Sequence, residues 1–411
     1  MNTTETIYAL SQVWQGTNRV YPYFDRLPVN WNEAYREYIE LALAEQDERQ
    51  RMLLPMAFCA LLNDGHSCAL PPRDSARVPI AVRDGILYAA EDTSLLGSAV
   101  IGLDDMSWTE WEMRLRKYVH SSQGHFYRGR AERVLPLLLE GEHHALRTSG
   151  GDLPFALGPE KMLQHLPEKE LFQHGELICR ENTLTVRRLP EEKVLYVKID
   201  HFLSAKAVDT ACTFLREGSP RGVILDVRDN MGGMTAYAAR MAGLFFAGNF
   251  SGCRKWTRKS SAVNVAAASQ EEGMDAARIA RYIADGLMTR EDYEASRRIF
   301  TNCDFEEYQD HFTGTGELAD TPCVLLTSRD TFSAAEDFTA FFKSNGRAKL
   351  VGQDTYGSSG TPMILRMGKL LGQIVSVGYR LLDGTEFINR GIQADVPATV
   401  DELEEKALSA L

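Results

Sequence analysis

Gly222-Val-Ile-Leu-Asp-Val-Arg-Asp-Asn-Met-Gly-Gly233 is the stretch on which the reading of the fold turns. Gly222 to Asp226 is an apolar run of the kind a strand buried on both faces requires. A turn through two glycines follows, and residues 235 to 246 then take helical spacing. Upstream, Val194 to Ile199 reads as a strand and 205 to 215 as a helix. Downstream, 322 to 327 reads as another buried strand, 334 to 342 as a helix and 349 to 351 as a strand. This alternation predicts successive crossover units of an α/β core. A hairpin-like pair follows at 363 to 367 and 373 to 381, joined through Gly368 and Gly372. Residues 265 to 310 are charged, take helical spacing and read as an insertion.

Ahead of this core, apolar residues recur at helical spacing between 31 and 62: Tyr35, Tyr38, Ile39 and Leu43, then Met52, Leu53, Met56 and Leu62. Two helices are predicted, the first capped by Asn30 and the second ended by Asn63-Asp64-Gly65, residues that tolerate a left-handed backbone. His66 then falls just beyond a helix end. Residues 77 to 103 hold short apolar runs around Asp84-Gly85, a strong hairpin signal, and 108 to 139 return to helical spacing. Thr148-Ser-Gly-Gly-Asp-Leu-Pro154 has linker composition. The chain is thus divided into a helical segment at 1–75, a small β-rich module followed by helices at 76–150, a linker region at 151–190 and the core at 191–411. No internal repeat is found.

At 411 residues, with 44% hydrophobic and 25% charged side chains, the chain has ordinary globular composition and length for two or three domains. Its net charge of −12 and the absence of any basic stripe argue against nucleic acid as a partner. The seven cysteines are odd in number and scattered, with no metal-ligand spacing, so no metal or cofactor is implied. The first fifteen residues show neither a basic start nor an unbroken apolar run, so no membrane association is expected and a reducing cytoplasm fits both observations.

Four segments could carry chemistry. The paired glycines after Asp226 let a backbone approach a substrate and aim N–H groups at developing negative charge, although strand-to-helix turns need such residues in any case. Thr327-Ser-Arg-Asp-Thr-Phe-Ser-Ala-Ala-Glu336 starts a helix near Ser333, where a serine nucleophile would sit at the positive end of the helix dipole. A plain capping role competes, with Ser333 as cap and Glu336 completing a capping box. Leu61-Leu-Asn-Asp-Gly-His-Ser67 offers an imidazole, which titrates where proton transfer near neutrality is efficient. Thr355-Tyr-Gly-Ser-Ser-Gly-Thr361 is a loop of small residues. Spacing alone does not choose among the nine histidines.

These segments occur in an order that resembles the C-terminal processing peptidases and the tricorn core. The resemblance rests on the D-x-R-x-N-x-G-G turn, the S-A-x-E helix start, Gly346-Arg-Ala-Lys-Leu-Val-Gly352, the T-Y-G loop and Gly391-Ile-Gln-Ala-Asp-Val396, where Ala394 replaces the usual proline. It is strongest over 190 to 400. It implies a crotonase-like ββα superhelical core, Ser333 as nucleophile, and an oxyanion hole from the amides of Gly232 or Gly233 and Ala334. Processing enzymes carry a lysine base after the T-[YF]-G turn; here that position is Ser358, which excludes the lysine mechanism.

In the tricorn-like branch the base is a histidine in a D-x-H-[ST] segment, to which Asp64-Gly-His-Ser67 is similar, so the resemblance implies His66. Tricorn has a serine directly before that histidine, linking it to a glutamate; this chain has Gly65. Glu386 resembles the family's late acidic residue, with Ser358 and Asp64 as alternative partners for His66. The implied activity is serine-type hydrolysis of peptides or unfolded protein, with homo-oligomers open to it. Residues 77–140 lack a convincing carboxylate-binding loop, so a PDZ module is degenerate or absent. Two other readings stay open: a catalytically silent binding protein on the same fold, and a serine esterase or amidase.

Overall fold

Val223 and Leu225 enter one apolar cluster and Ile224 another, because successive side chains of a strand point to opposite faces of its sheet. Leu325 is likewise set against Val324 and Leu326. The computed structural model describes residues 1–72, 78–127, 129–158, 163–166, 169–181, 183–190, 193–258, 280–281, 283–285, 289–291 and 305–411. Its central feature is a seven-stranded sheet. We label its strands β1 (Glu176–Glu181), β2 (Leu184–Arg188), β3 (Val194–Ile199), β4 (Gly222–Asp226), β5 (Cys323–Thr327), β6 (Lys349–Gly352) and β7 (Val396–Pro397).

Order across this sheet follows order along the chain. β1, β2 and β3 run antiparallel, and β3 through β7 run parallel, with Leu225 opposite Leu325 and Leu325 opposite Leu350. Right-handed crossovers that all advance in one direction place their helices on one side. Accordingly the helices Ala205–Glu217, Thr235–Ala242 and Ala334–Ser344 bury Val208, Met241 and Phe338 in one cluster with Val197, Val223 and Leu325. The opposite face is closed by Leu403 and Ala407 of the helix Leu403–Ala410, with Phe172 and Tyr196. The mixed α/β class expected from the alternation is what the chain adopts.

The N-terminal helices pack in a second apolar cluster together with the strands of residues 80–155 and the C-terminal hairpin. Asn30 caps Trp31–Ala44 through the amides of Asn32 and Glu33, and Asp47 caps Glu48–Ala60. The helix Thr3–Val20 lies within the segment 1–75 read as helical but is not marked individually by the sequence, because it buries Thr6, Ala9, Leu10, Val13, Gly16 and Thr17, a helical stripe written largely in small residues. Gly16 seats against Met363 and Leu365 of the hairpin Pro362–Met367/Leu370–Val375. A short strand, Cys68–Leu70, pairs antiparallel with that hairpin, Cys68 opposite Gln373 and Leu70 opposite Leu371. The chain just after His66 is thereby joined to the C-terminal region.

Several expectations are corrected. Thr148 to Pro154 is the turn and flank of a hairpin, His143–Thr148 with Gly151–Ala156, rather than a connector. The stretch 151–190 supplies β1 and β2, because Leu184 and Val186 alternate into the sheet's own core. Between 108 and 139 the helices Trp108–Leu115 and Arg130–Leu138 are separated by the short pair Ser121–Ser122 and His125–Phe126. The C-terminal hairpin turns at Gly368; Gly372 lies within its second strand, and Gly378–Leu381 leaves to pair with Cys253–Arg258. The insertion read at 265–310 lies mostly outside the described residues, and its end, Phe305–Tyr308, is a strand.

Asp226 is fully buried at the end of β4 and accepts from Arg228 Nε at 2.9 Å and from Tyr196 Oη at 2.6 Å. Burial pushes its carboxyl up, but the Arg228 charge and its hydrogen bonds hold it net below the ordinary value. Removing one partner of a buried pair strands the other charge. Asp226→Ala is therefore expected to lower stability by about 3 to 5 kcal/mol, measured by urea unfolding; a loss within error would show that Arg228 finds water instead.

Candidate active site

Ser333 joins β5 to the helix Ala334–Ser344 with φ 59° and ψ −127°, a left-handed backbone rare for a side-chain-bearing residue. Such a conformation costs on the order of 1–3 kcal/mol and persists only where the surroundings over-determine it. Here Ser333 N donates to Ser358 O at 3.1 Å, Phe332 N to Asn230 O at 3.1 Å, and Thr331 Oγ1 to Val227 O at 2.9 Å. The Ser333 side chain makes no capping bond. Glu336 does not complete a capping box either: it accepts from Thr355 Oγ1 at 2.5 Å, Gly357 N at 2.7 Å and Ser358 N at 2.6 Å. The capping alternative is thus not what the chain adopts, and Ser333 Oγ is left for another partner.

That partner is His66. Its Nε2 lies 3.0 Å from Ser333 Oγ and its Nδ1 2.7 Å from Ser358 Oγ. Asp64 Oδ1 accepts from the backbone amides of His66 and Ser67, so Asp64 shapes the turn and does not touch the ring. Gln373 Nε2 donates to His66 O at 2.5 Å, and the Phe332 ring stacks on the imidazole at 4.5 Å with 7° between planes. His66 is buried, and burial, followed by the Arg130 charge, lowers its pKa to about 3. The ring is therefore neutral near pH 7, with one donor and one acceptor. It can accept from Ser333 O–H only if Nδ1–H donates to Ser358 Oγ.

Ser358 lies between the histidine and a buried carboxylate. Its backbone amide donates to Glu336, and burial pushes Glu336 up to about 7 against the three donors that favour the ionised form. Glu386 is elsewhere: half-exposed, it pairs with Arg26 at 2.7 Å, and neither ring nitrogen of His66 bonds it. Its assignment as His66's partner is corrected, since the Asp383–Asn389 segment faces outward at that position. The buried acid at the site is Glu336. Its signal was present in S-A-x-E but is the same as that of a helix cap.

Gly65 also gains a physical reason. A Cβ there would lie 2.7 Å from Ser358 Cβ and Oγ and 2.6 Å from the Tyr356 ring. Any side chain before His66 would have to displace both Ser358 and the Tyr356 ring.

The glycine turn abuts the nucleophile position. A Cβ on Gly232, φ 89°, would lie 2.6 Å from Ser333 Cβ, and one on Gly233, φ 136°, 2.4 Å from Phe202 O. The Gly232 amide is already committed to Asn230 Oδ1 at 2.9 Å, which corrects its candidacy as an oxyanion donor. The amides of Gly233 and Ala334 have no hydrogen-bond acceptor among the described residues. Within those residues no cluster of side chains suits a metal ion. The arrangement pairs a hydroxyl with a neutral imidazole beside two backbone donors, the parts that acyl transfer needs.

Comparisons agree with this architecture. Mature CPAF, in its complex with lactacystin, is 14% identical with a TM-score of 0.67, covering 99% of this chain and 96% of that one. The photosystem II D1 C-terminal processing protease is 16% identical with a TM-score of 0.51, over 98% of this chain and 94% of that one. A Parabacteroides merdae protein is 15% identical with a TM-score of 0.53, over 100% and 95%. At such identities the likeness is one of fold. No curated protein matches by sequence. Residues 193–398, half of the chain and the part that holds Ser333, Ser358 and the glycine turn, match Peptidase family S41, and the chain belongs to this family of serine peptidases.

Proposed function

We propose that Ser333 attacks a peptide carbonyl, that His66 takes its proton and returns it to the leaving amine, and that the amides of Gly233 and Ala334 hold the oxyanion. The observation that carries this reading is a neutral, buried imidazole set between two serine hydroxyls, 3.0 Å from Ser333 and 2.7 Å from Ser358. Ser358 acts by orienting the ring and selecting its tautomer, and Glu336 holds the Ser358 loop. The acyl-enzyme on Ser333 is then hydrolysed by water with the same base. The substrate is a short unfolded peptide, bound in extended form.

The reading extends to the scaffold. Strand order that never reverses, with crossover helices on one face, supports a crotonase-like ββα superhelix. The N-terminal helices and the small β module share one apolar cluster with the C-terminal hairpin, and they stand beside the core at 191–411 as units of one chain. A cytoplasmic location is supported by free cysteines at 59, 68, 179, 212, 253 and 323. Among the described residues no helix is long and apolar enough to cross a membrane.

Ser333→Ala and His66→Ala are each expected to lower kcat on a peptide substrate at least about 10⁴-fold and to abolish fluorophosphonate labelling, while Ser358→Ala loses roughly ten- to a hundredfold. Full activity in His66→Ala refutes the assignment of the base.

The acid limb of kcat/KM is expected well below pH 6.5, because a base whose pKa is lowered to about 3 stays neutral and competent as the pH falls. Stability moves the other way. Between pH 6.5 and about 3 the unfolded chain takes up a proton that folded His66 refuses, so His66's contribution is complete above 6.5 and is lost across that window. An acid limb at pH 6.5 in the rate profile would place the imidazole in water.

Gly65→Ser is expected to displace Ser358 and cut kcat at least about tenfold, with KM little changed. Gly65→Ser combined with Ser358→Gly is expected to recover little, because the buried Tyr356 ring still lies 2.6 Å from the added Cβ. If the single variant keeps wild-type kcat, the two positions are not in contact.

A further inference from the structure

The segment Ser328–Phe332, which leads from β5 into Ser333, is held from two sides. On its inner side Asn230 O and the Tyr356 amide bond its backbone, and Val227 O accepts from the Thr331 hydroxyl. On its outer side the only described imidazole with a carboxylate on each ring nitrogen meets it. His125, buried in the short strand His125–Phe126, has Nε2 3.0 Å from Asp330 Oδ1 and Nδ1 3.1 Å from Asp84 Oδ1. Asp84 belongs to the hairpin turn between Ile80–Arg83 and Ile86–Ala90, so this one ring ties the small β module to the loop that presents the nucleophile.

Carboxylates only accept hydrogen bonds, and a neutral imidazole has a single N–H. Two such contacts therefore require the doubly protonated ring, unless a carboxyl is itself protonated. The surroundings oppose the latter: Arg83 lies 3.1 Å from Asp330 Oδ2, and Arg329 3.4 Å from Asp84 Oδ1. The other groups facing the ring are Glu132 on the helix Arg130–Leu138, which adds negative charge, and the edge of Tyr356 at 6.1 Å. The two carboxylates outweigh burial and raise the His125 pKa to about 9.

We propose that His125 is a positioning residue for the hydrolytic reaction: as an imidazolium it clamps Asp330, and with it Phe332 against His66, so that losing its proton loosens the nucleophile loop. This rests on the reading of Ser333 and His66 as nucleophile and base. The effect is on kcat, because the clamp sets the approach of hydroxyl to base. It also gives the enzyme an alkaline limit that His66, neutral across this range, cannot supply.

The test is the pH profile of kcat for peptide hydrolysis, with thermal melting to confirm folding. Wild type is expected to lose activity as the pH rises through about 9. His125→Gln, which cannot hold a positive charge, is expected to show kcat lowered about tenfold at pH 7, KM within about twofold and no alkaline limb of its own near 9. Asp84→Asn removes one carboxylate at a half-exposed turn and leaves the fold in place; it is expected to move the alkaline limb to lower pH. If His125→Gln is unstable, this second variant decides. Wild-type kcat with an unmoved alkaline limb in both folded variants, or an unmoved limb in Asp84→Asn where only that variant folds, overturns the clamp. Failure of the nucleophile assignment is read separately, as turnover surviving in Ser333→Ala.

Discussion

The site depends on three residues of strand pairing. Cys68–Leu70 runs antiparallel to the C-terminal hairpin, with Cys68 opposite Gln373, and Gln373 also donates to the His66 carbonyl. A hydroxyl and an imidazole 267 positions apart in the chain meet because this short ladder closes the loop between them. The entropy of closing so long a loop is substantial, but it rises only logarithmically with length, so one ladder backed by an apolar core can offset it. That core is the cluster joining Leu10 and Val13 of the first helix to Leu365 and Ile374 of the hairpin. Catalytic geometry and tertiary stability are therefore linked at this seam.

Around the seam, each strained or buried group is fixed by more than one neighbour. The backbone of Ser333 lies in a costly region, and its amide, the preceding Phe332 amide and the Thr331 hydroxyl are all bonded to different elements. Glu336 is buried with three donors directed at its two oxygens, which fixes the 355–358 loop to the nucleophile's own helix. Ser333, Ser358 and Glu336 are thereby tied to one another. His66 is the member brought to it from the other end of the chain, and the stacked Phe332 ring sets its tilt.

Much of this was legible in the sequence where one residue type has one common structural use. The all-apolar run at 222–226 could hardly be anything except a strand covered on both faces, and Asn30 and Asp84-Gly85 cap and turn as their chemistry suggests. Legibility failed where one pattern serves two ends. Ser333 with Glu336 spells a helix cap, yet the cap is absent and the glutamate bonds a loop some twenty residues further on. Thr148 to Pro154 has the composition of a linker, which is also the composition of a hairpin turn. The first helix was hidden because small residues fill its buried stripe. Glu386 rests on its resemblance to the family's late acidic residue; reaching His66 depends on tertiary placement, which instead gives it Arg26.

The contact between Gly65 and Ser358 bears on how such a site can diverge. A Cβ at 65 would meet Ser358 and the Tyr356 ring at once, so the hydroxyl that reaches Nδ1 comes from position 358. Supplying that hydroxyl from position 65 instead would require both Ser358 and Tyr356 to give way, and removing it at 358 leaves the Nδ1 proton without its acceptor. Moving the hydroxyl from one position to the other therefore takes more than one substitution.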